Sequence, residues 1–465
     1  MNGKTRGRLA VMAALLAAGA LGRSVAGAEE IVSLGKEHVV CEGFMGFGAE
    51  WDSAAYNALG VTDEDFAVIA ERVRWMRLPV VRTMMLTRWC YRGEDGFDWD
   101  NPDMRALYRQ LDLCQQQGIT VLLTDWGCES WTKVPGIENM VDPKYAEAIG
   151  TYMDYLVNER AYSCIKYFIL VNEPNYEVGD FDRWKQGVLN VAAVFKRRGL
   201  DRHFGFAGSD HSNAPAWHED AVRQLRDTLG AYDVHSYAND AQVRPGKLEA
   251  FFANQWQFAR DNDPNAKRKP CIVGEAGMND GARHPGANDN IDSFEYGLFM
   301  ADYAVQAARA GSAAVCAWQL DDNGHEGFTW GMWKDKKNGL GLRPWFYVWS
   351  LLSRYFPRDA TIYRPPESSP DWRIVIGAGP AGSDGKPEGW TFCLVNRGDA
   401  EVQTRVKVPD DAKRTLTRYV YSADARPTGD SGFPEPSEKT AVDLGGPLAL
   451  RCPPRSVVLA TTLPW

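Results

Sequence analysis

No run of roughly 18 consecutive apolar residues occurs in the chain, which argues against a membrane-spanning helix. The nine cysteines form no CxxC pair, and the seven histidines lack zinc-like spacing, so neither a zinc scaffold nor a catalytic metal is expected. No glycine fingerprint follows the first apolar strand pattern, which argues against a doubly wound dinucleotide fold. Positive charge is also in short supply: 52 Lys and Arg face 61 Asp and Glu, for a net −9. The first 28 residues hold Lys4, Arg6, Arg8 and Arg23 and no acid, so the remainder carries −13. Like charge repels, so nucleic acid and anionic membrane surfaces are poor partners.

A composition of 45% hydrophobic, 24% charged and 12% aromatic residues is that of a globular protein. Lys4, Arg6 and Arg8 precede a short apolar stretch, residues 9–21, and Ala26-Gly27-Ala28 has the small-x-small form of a cleavage site. Residues 1–28 therefore read as a secretory signal, and a secreted or periplasmic chain starting at Glu29 is expected. No cysteine follows the cleavage site, so no lipoprotein anchor is expected. Cys271 and Cys316 fall in strand-like runs and are expected as buried thiols. Cys90 and Cys128 fall in loops where they could pair.

Eight apolar strand patterns recur, at 44–50, 80–86, 120–126, 167–172, 203–209, 232–237, 270–275 and 313–319. Amphipathic helix patterns lie between them. Thr62 and Asp65 form a capping-box start, Pro102 and Pro143 open helices, and Gly118 and Gly199 close two. Apolar strands alternating with helices imply a parallel sheet covered by helices, and eight units over some 300 residues imply a (β/α)8 TIM barrel at 43–356. Beyond it, short strands punctuated by Pro, Gly, Asp and Ser imply an antiparallel β-sandwich at 357–465. The segment 29–42 reads as a strand that joins the same sandwich.

A (β/α)8 barrel places its chemistry at the C-terminal ends of its strands. There the sequence places Glu50, Arg82, Trp126, Asn172-Glu173-Pro174, His235-Ser236-Tyr237, Gly274-Glu275-Ala276 and Trp318-Gln319. Glu173 and Glu275 end apolar runs on strands 4 and 7, across the barrel mouth from one another. Paired carboxylates in a sheltered cleft suit glycosidic cleavage, where one protonates the leaving oxygen and the other attacks the anomeric carbon. Arg82 and Tyr237 are positioned to favour ionised Glu275, whereas Glu173 has no evident cationic neighbour in sequence. The loops at 87–102, 127–142 and 320–342 carry Trp89, Trp99, Trp131, Trp330 and Trp333, which either stack on sugars or pack the loops together.

With these residues in place, the chain resembles a clan A retaining glycoside hydrolase, family 30 in particular, with families 5 and 39 close to it. Gly46-Phe47-Gly48, the strand 3 Trp126 with Ser130-Trp131-Thr132-Lys133, Asn172-Glu173-Pro174, and His235 with Tyr237 carry the resemblance. Ala49-Glu50-Trp51 departs from the family 30 pattern, and Gly274-Glu275-Ala276-Gly277 resembles the family 5 nucleophile motif. The resemblance covers residues 31 to the C-terminus. It implies Glu173 as general acid/base, Glu275 as nucleophile and Asn172 as partner of the sugar 2-hydroxyl. It also implies Tyr237 and Arg82 as orienters of Glu275, and Trp318 as the floor of the sugar subsite. Glu50, His235, Trp126 and Trp131 complete the expected substrate-binding set, with no cofactor and a poly- or oligosaccharide substrate. Two other readings stay open: an α-L-arabinofuranosidase-type enzyme, and a non-catalytic glycan-binding barrel.

Overall fold

The structure, a computed structural model, describes residues 31–283, 286–322, 328–367, 369–383 and 385–464. The expected signal segment and His284 and His325 lie outside these residues. Eight parallel strands close into a barrel: β1 (Gly46–Glu50), β2 (Val80–Met85), β3 (Thr120–Asp125), β4 (Ile165–Leu170), β5 (Gly205–Ser212), β6 (Leu229–Ala238), β7 (Cys271–Met278) and β8 (Ala314–Ala317). β8 pairs with β1, Ala314 opposite Gly46, and so closes the ring. A principal helix follows each strand: α1 (Asp63–Met76), α2 (Pro102–Gln117), α3 (Pro143–Asp154), α4 (Phe181–Arg198), α5 (Pro215–Leu225), α6 (Lys247–Asn262), α7 (Phe294–Arg309) and α8 (Pro344–Tyr355).

The start and stop signals work as their chemistry requires. Thr62 Oγ1 accepts from the Asp65 amide at 3.3 Å, while Asp65 Oδ2 accepts from the Thr62 amide at 2.9 Å. A cap of this kind contributes about 1 kcal/mol. Gly118 and Gly199 end α2 and α4 in the left-handed region, at φ 66° and 68°.

Strand periodicity sorts the barrel residues into two cores. Val80, Leu122, Ile169, Ala207, Ala231, Ile272, Ala314 and Cys316 fill the barrel interior. Their alternates, including Val81, Val121, Leu123, Phe168 and Val273, pack outward against the helices. Along β2 the inward positions are Val80, Arg82 and Met84. A buried guanidinium therefore lies above the apolar floor and beneath the barrel mouth.

The sandwich pairs a seven-stranded sheet with a three-stranded one. The N-terminal segment forms two strands rather than one. Ile31–Ser33 runs parallel to Val402–Lys407 in the small sheet, and Val39–Phe44 pairs antiparallel with Ala360–Tyr363 at the edge of the large sheet. Asp302 on α7 accepts from Arg373 at 2.9 Å across the barrel–sandwich boundary, with both residues buried. Arg309 on α7 also donates to the Ile374 carbonyl at 2.7 Å. Trp372 and Trp390 are buried within the sandwich core, so packing accounts for both.

All nine cysteines lie among the described residues and are unpaired. Cys90 and Cys128, which their loops would have allowed to pair, do not. Both are buried single thiols, packed in the main core with the β2 and β3 loops. Cys316 is buried as expected, but Cys271, at the start of β7, is only half-buried. Among the described residues no helix is long and apolar enough to cross a membrane.

Candidate active site

Glu173 follows β4 on a tight turn. Val171, Glu173 and the facing Asp210 all adopt left-handed backbone, at φ 68°, 43° and 56°. Such conformations cost about 1–3 kcal/mol each in non-glycine residues and mark places where side-chain placement is over-determined. The turn carries Asn172 and Glu173 to the barrel mouth. Glu173 remains partly exposed, whereas Glu275 on β7 is only 3% exposed.

Glu275 is held on both oxygens. Arg82 Nη1 donates to Oε1 at 2.8 Å, and the Tyr237 hydroxyl donates to Oε2 at 2.7 Å. Burial pushes the Glu275 carboxyl up, while His235 and Arg82 pull against that rise. Burial together with Glu275 keeps the Tyr237 phenol protonated and donating. Arg82 is fully buried and also donates through Nη2 to Asn172 Oδ1 and to Asp210 Oδ2, both at 2.9 Å. One guanidinium thus reaches the carboxylate on β7 and the asparagine beside Glu173.

The structure brings together Arg82, Asn172, Glu173, His235, Tyr237 and Glu275 of the expected set. It adds a neighbour that no local sequence pattern gives: the imidazole of His235 lies beside Glu173. His235 Nδ1 lies 3.1 Å from Glu173 Oε1 and 3.6 Å from Glu275 Oε1. Sequence reasoning also missed Asp210 on β5. That residue is completely buried, accepts from Arg82, faces His235 Nε2 at 3.0 Å and accepts from the Glu173 amide at 3.2 Å. Burial alone would raise its pKa, but Arg82 and His235 bring it down to about 2. A strand 5 pattern extended by one residue would have found it.

Glu50 lies apart from the cleft surface. It is completely buried, neither carboxylate oxygen has a hydrogen-bond partner among the described residues, and burial together with Asp52 and Glu275 holds its pKa well above the usual carboxylate range. No part of it reaches solvent, so it lies beneath the cleft surface.

The aromatics divide as well. Trp318 packs with Met84 and Trp330, flanked by Trp126 and Tyr237, and forms one wall over the barrel interior. Trp131 is 50% exposed and meets Trp126 edge-on at 5.1 Å. Tyr176, one short turn beyond Glu173, is 67% exposed. Trp89, Trp330 and Trp333 are buried, and Trp99 is stacked between Phe97 and Tyr155 at 4.8 and 4.1 Å. Loop packing accounts for Trp89, Trp99 and Trp333, whereas Trp330 belongs to the Trp318 wall and meets Tyr237 edge-on at 5.7 Å.

Glu173, His235 and Glu275 each bring one donor atom within 4.8 Å of the others. Three such groups could approach a cation. However, both ring nitrogens of His235 already face carboxylates, and Glu275 is satisfied by Arg82 and Tyr237. The site thus sets two carboxyls beside one guanidinium and one imidazole.

No protein-family profile and no curated protein matches the chain by sequence. Solved structures match it closely in shape. A GH30 endoxylanase from Clostridium papyrosolvens C71 aligns with a TM-score of 0.65 at 13% identity, over 93% of this chain and 99% of that one. An α-L-arabinofuranosidase from Thermotoga maritima aligns at 0.64 and 14% identity, over 93% and 98%. A conserved exported protein from Bacteroides fragilis aligns at 0.67 and 11% identity, over 93% and 100%.

Proposed function

We propose that this chain is a secreted, retaining glycoside hydrolase that cleaves β-glycosidic bonds of a poly- or oligosaccharide by double displacement. The observation that carries the proposal is the approach of Glu173 and Glu275, whose carboxylate oxygens come within 4.8 Å across the barrel mouth. Retaining enzymes need the two carboxyls about 5–5.5 Å apart, whereas inverting enzymes leave about 6.5–9.5 Å for a water.

In this mechanism Glu275, aimed by Arg82 and Tyr237, attacks the anomeric carbon while Glu173 protonates the leaving oxygen. A glycosyl ester forms on Glu275. Glu173, now ionised, takes a proton from water, and that water cleaves the ester. Asn172, fixed by Arg82, is placed to hydrogen-bond the sugar 2-hydroxyl, an interaction that strengthens in the transition state. Export rests on the basic-apolar-small pattern of residues 1–28.

A second reading keeps the same two glutamates and takes α-L-arabinofuranosides. The shape match to the Thermotoga maritima α-L-arabinofuranosidase favours it. A panel of aryl β- and α-glycosides and polysaccharides, run beside Glu173→Gln and Glu275→Gln, tests both. Cleavage by the wild type that is crippled in both variants is expected, and the cleaved glycoside names the sugar. Full activity in either variant would overturn the assignment of the two carboxylates.

A further inference from the structure

We propose that Asp210 is a positioning residue: it holds His235 as an imidazolium donating from both ring nitrogens, and so fixes which oxygen of Glu173 carries the catalytic proton. The presence and use of that proton on Glu173 rest on the glycosidase reading above; the double protonation of His235 does not.

The geometry around the ring carries the inference. His235 is completely buried, with Nε2 3.0 Å from Asp210 Oδ1 and Nδ1 3.1 Å from Glu173 Oε1. Asp210 is bonded to Arg82 and to the Glu173 amide through its other oxygen, so it is an ionised carboxylate that can only accept. Nε2 must therefore donate. Nδ1 faces Glu173 Oε1 and, at 3.6 Å, Glu275 Oε1. A lone pair on Nδ1 would point at the lone pairs of the nucleophile carboxylate, whereas an N–H is attracted to both.

The charged surroundings balance only with a cationic ring. Arg82 approaches from β2, Glu173 from the turn after β4, Asp210 and His211 from β5, Asp233 from β6 itself and Glu275 from β7. Burial keeps His211 neutral, bonded to Ser209 Oγ at 2.8 Å. Burial and the Asp210 charge keep Asp233 protonated. With Glu173 protonated, as the acid step of the glycosidase reading requires, Arg82 and His235 are positive against Asp210 and Glu275 negative. Burial would depress His235, but Glu275 and Asp210 overcome it and hold the ring well above the ordinary histidine range.

The consequence for Glu173 is specific. Its Oε1 is occupied as the acceptor of the Nδ1 proton, so the transferable proton sits on Oε2. Without Asp210 one of the carboxylates that hold the ring cationic is gone, the ring gives up a proton, and that preference is lost.

The test is a pair of measurements on the full chain. With ¹⁵N-labelled histidine, wild-type His235, assigned by its absence in His235→Gln, should show two protonated ring nitrogens at neutral pH. Asp210→Asn should show one, with kcat lowered roughly 10-fold or more, KM little changed, and the pH–rate profile displaced. An unprotonated His235 nitrogen in the wild type would overturn the proposal whatever the activity. A wild-type His235 spectrum in Asp210→Asn would overturn it equally. The spectra need no substrate, so failure to find a glycoside substrate leaves this test intact. If Asp210→Asn does not fold, the wild-type spectrum decides alone.

Discussion

Arg82 and Glu275 form an ion pair, 2.8 Å from Nη1 to Oε1, in a barrel interior where the guanidinium has no exposed surface. Two charges out of water are tolerable only when paired and hydrogen-bonded, and Arg82 meets both conditions through Glu275, Asn172 and Asp210.

Arg82→Met should accordingly destabilise the fold by about 3–5 kcal/mol, because it takes the guanidinium from two buried carboxylates at once. Urea denaturation of variant and wild type measures this. A loss under about 1 kcal/mol would mean that water reaches the pair.

Removing the acid/base should separate the two chemical steps. With an aryl glycoside bearing a good leaving group, Glu173→Ala still forms the glycosyl ester on Glu275 but turns it over slowly, by roughly 10²–10⁴-fold. Azide, which needs no deprotonation, should restore turnover and yield a glycosyl azide of retained configuration. An azide product of inverted configuration would exclude double displacement.

Trp131 should matter to ligands and not to folding. It is half-exposed at the mouth, so Trp131→Ala should change stability by no more than about 0.5 kcal/mol. Lost apolar contact with a sugar ring should weaken binding of longer substrates by about 1–2 kcal/mol. Calorimetry with oligosaccharides of increasing length, using Glu173→Gln, measures it. Equal affinity in both backgrounds would place the glycan elsewhere.

Asp321 gives the chain a pH-dependent component on its alkaline side. Burial holds its carboxyl up at about 8, although the Tyr56 hydroxyl donates to it at 2.5 Å. A carboxyl raised on folding binds its proton more tightly than in the unfolded chain. Its contribution is complete below the unfolded value near 3.9 and is lost as pH rises toward 8. Asp321→Asn keeps an acceptor for Tyr56 and removes the titration. Its stability relative to wild type should therefore increase between about pH 5 and about pH 8. A difference that does not change with pH would refute this.

The barrel was legible because each strand is a short apolar run closed by polar residues, and most helices carry explicit caps. β5 is the exception. Gly205, Ala207, Gly208 and Ser209 give it little apolar signal, so its polar end was misplaced and Asp210 was lost with it. The contact of His235 with Glu173 was illegible for another reason: it joins strands 4 and 6, and no local pattern encodes a pairing across the barrel mouth. In the sandwich, Glu438–Asp443 escaped notice because it is an almost wholly exposed edge strand whose residues show no alternation. The fully buried state of Glu50 was likewise hidden, since a strand end in sequence does not reveal what covers it.

The two N-terminal strands also set an order of assembly. Phe44 is registered with Ala360 and Ile31 with Arg405, so the chain's first strands are completed by residues made more than three hundred positions later. Such long closures are slow to form, and a half-made chain presents unpaired strand edges meanwhile. During synthesis these two strands therefore keep unpaired edges until the whole barrel and the first part of the sandwich have been made. Once made, that late seam stitches start to finish, and a chain clipped at either end loses part of both sheets at once.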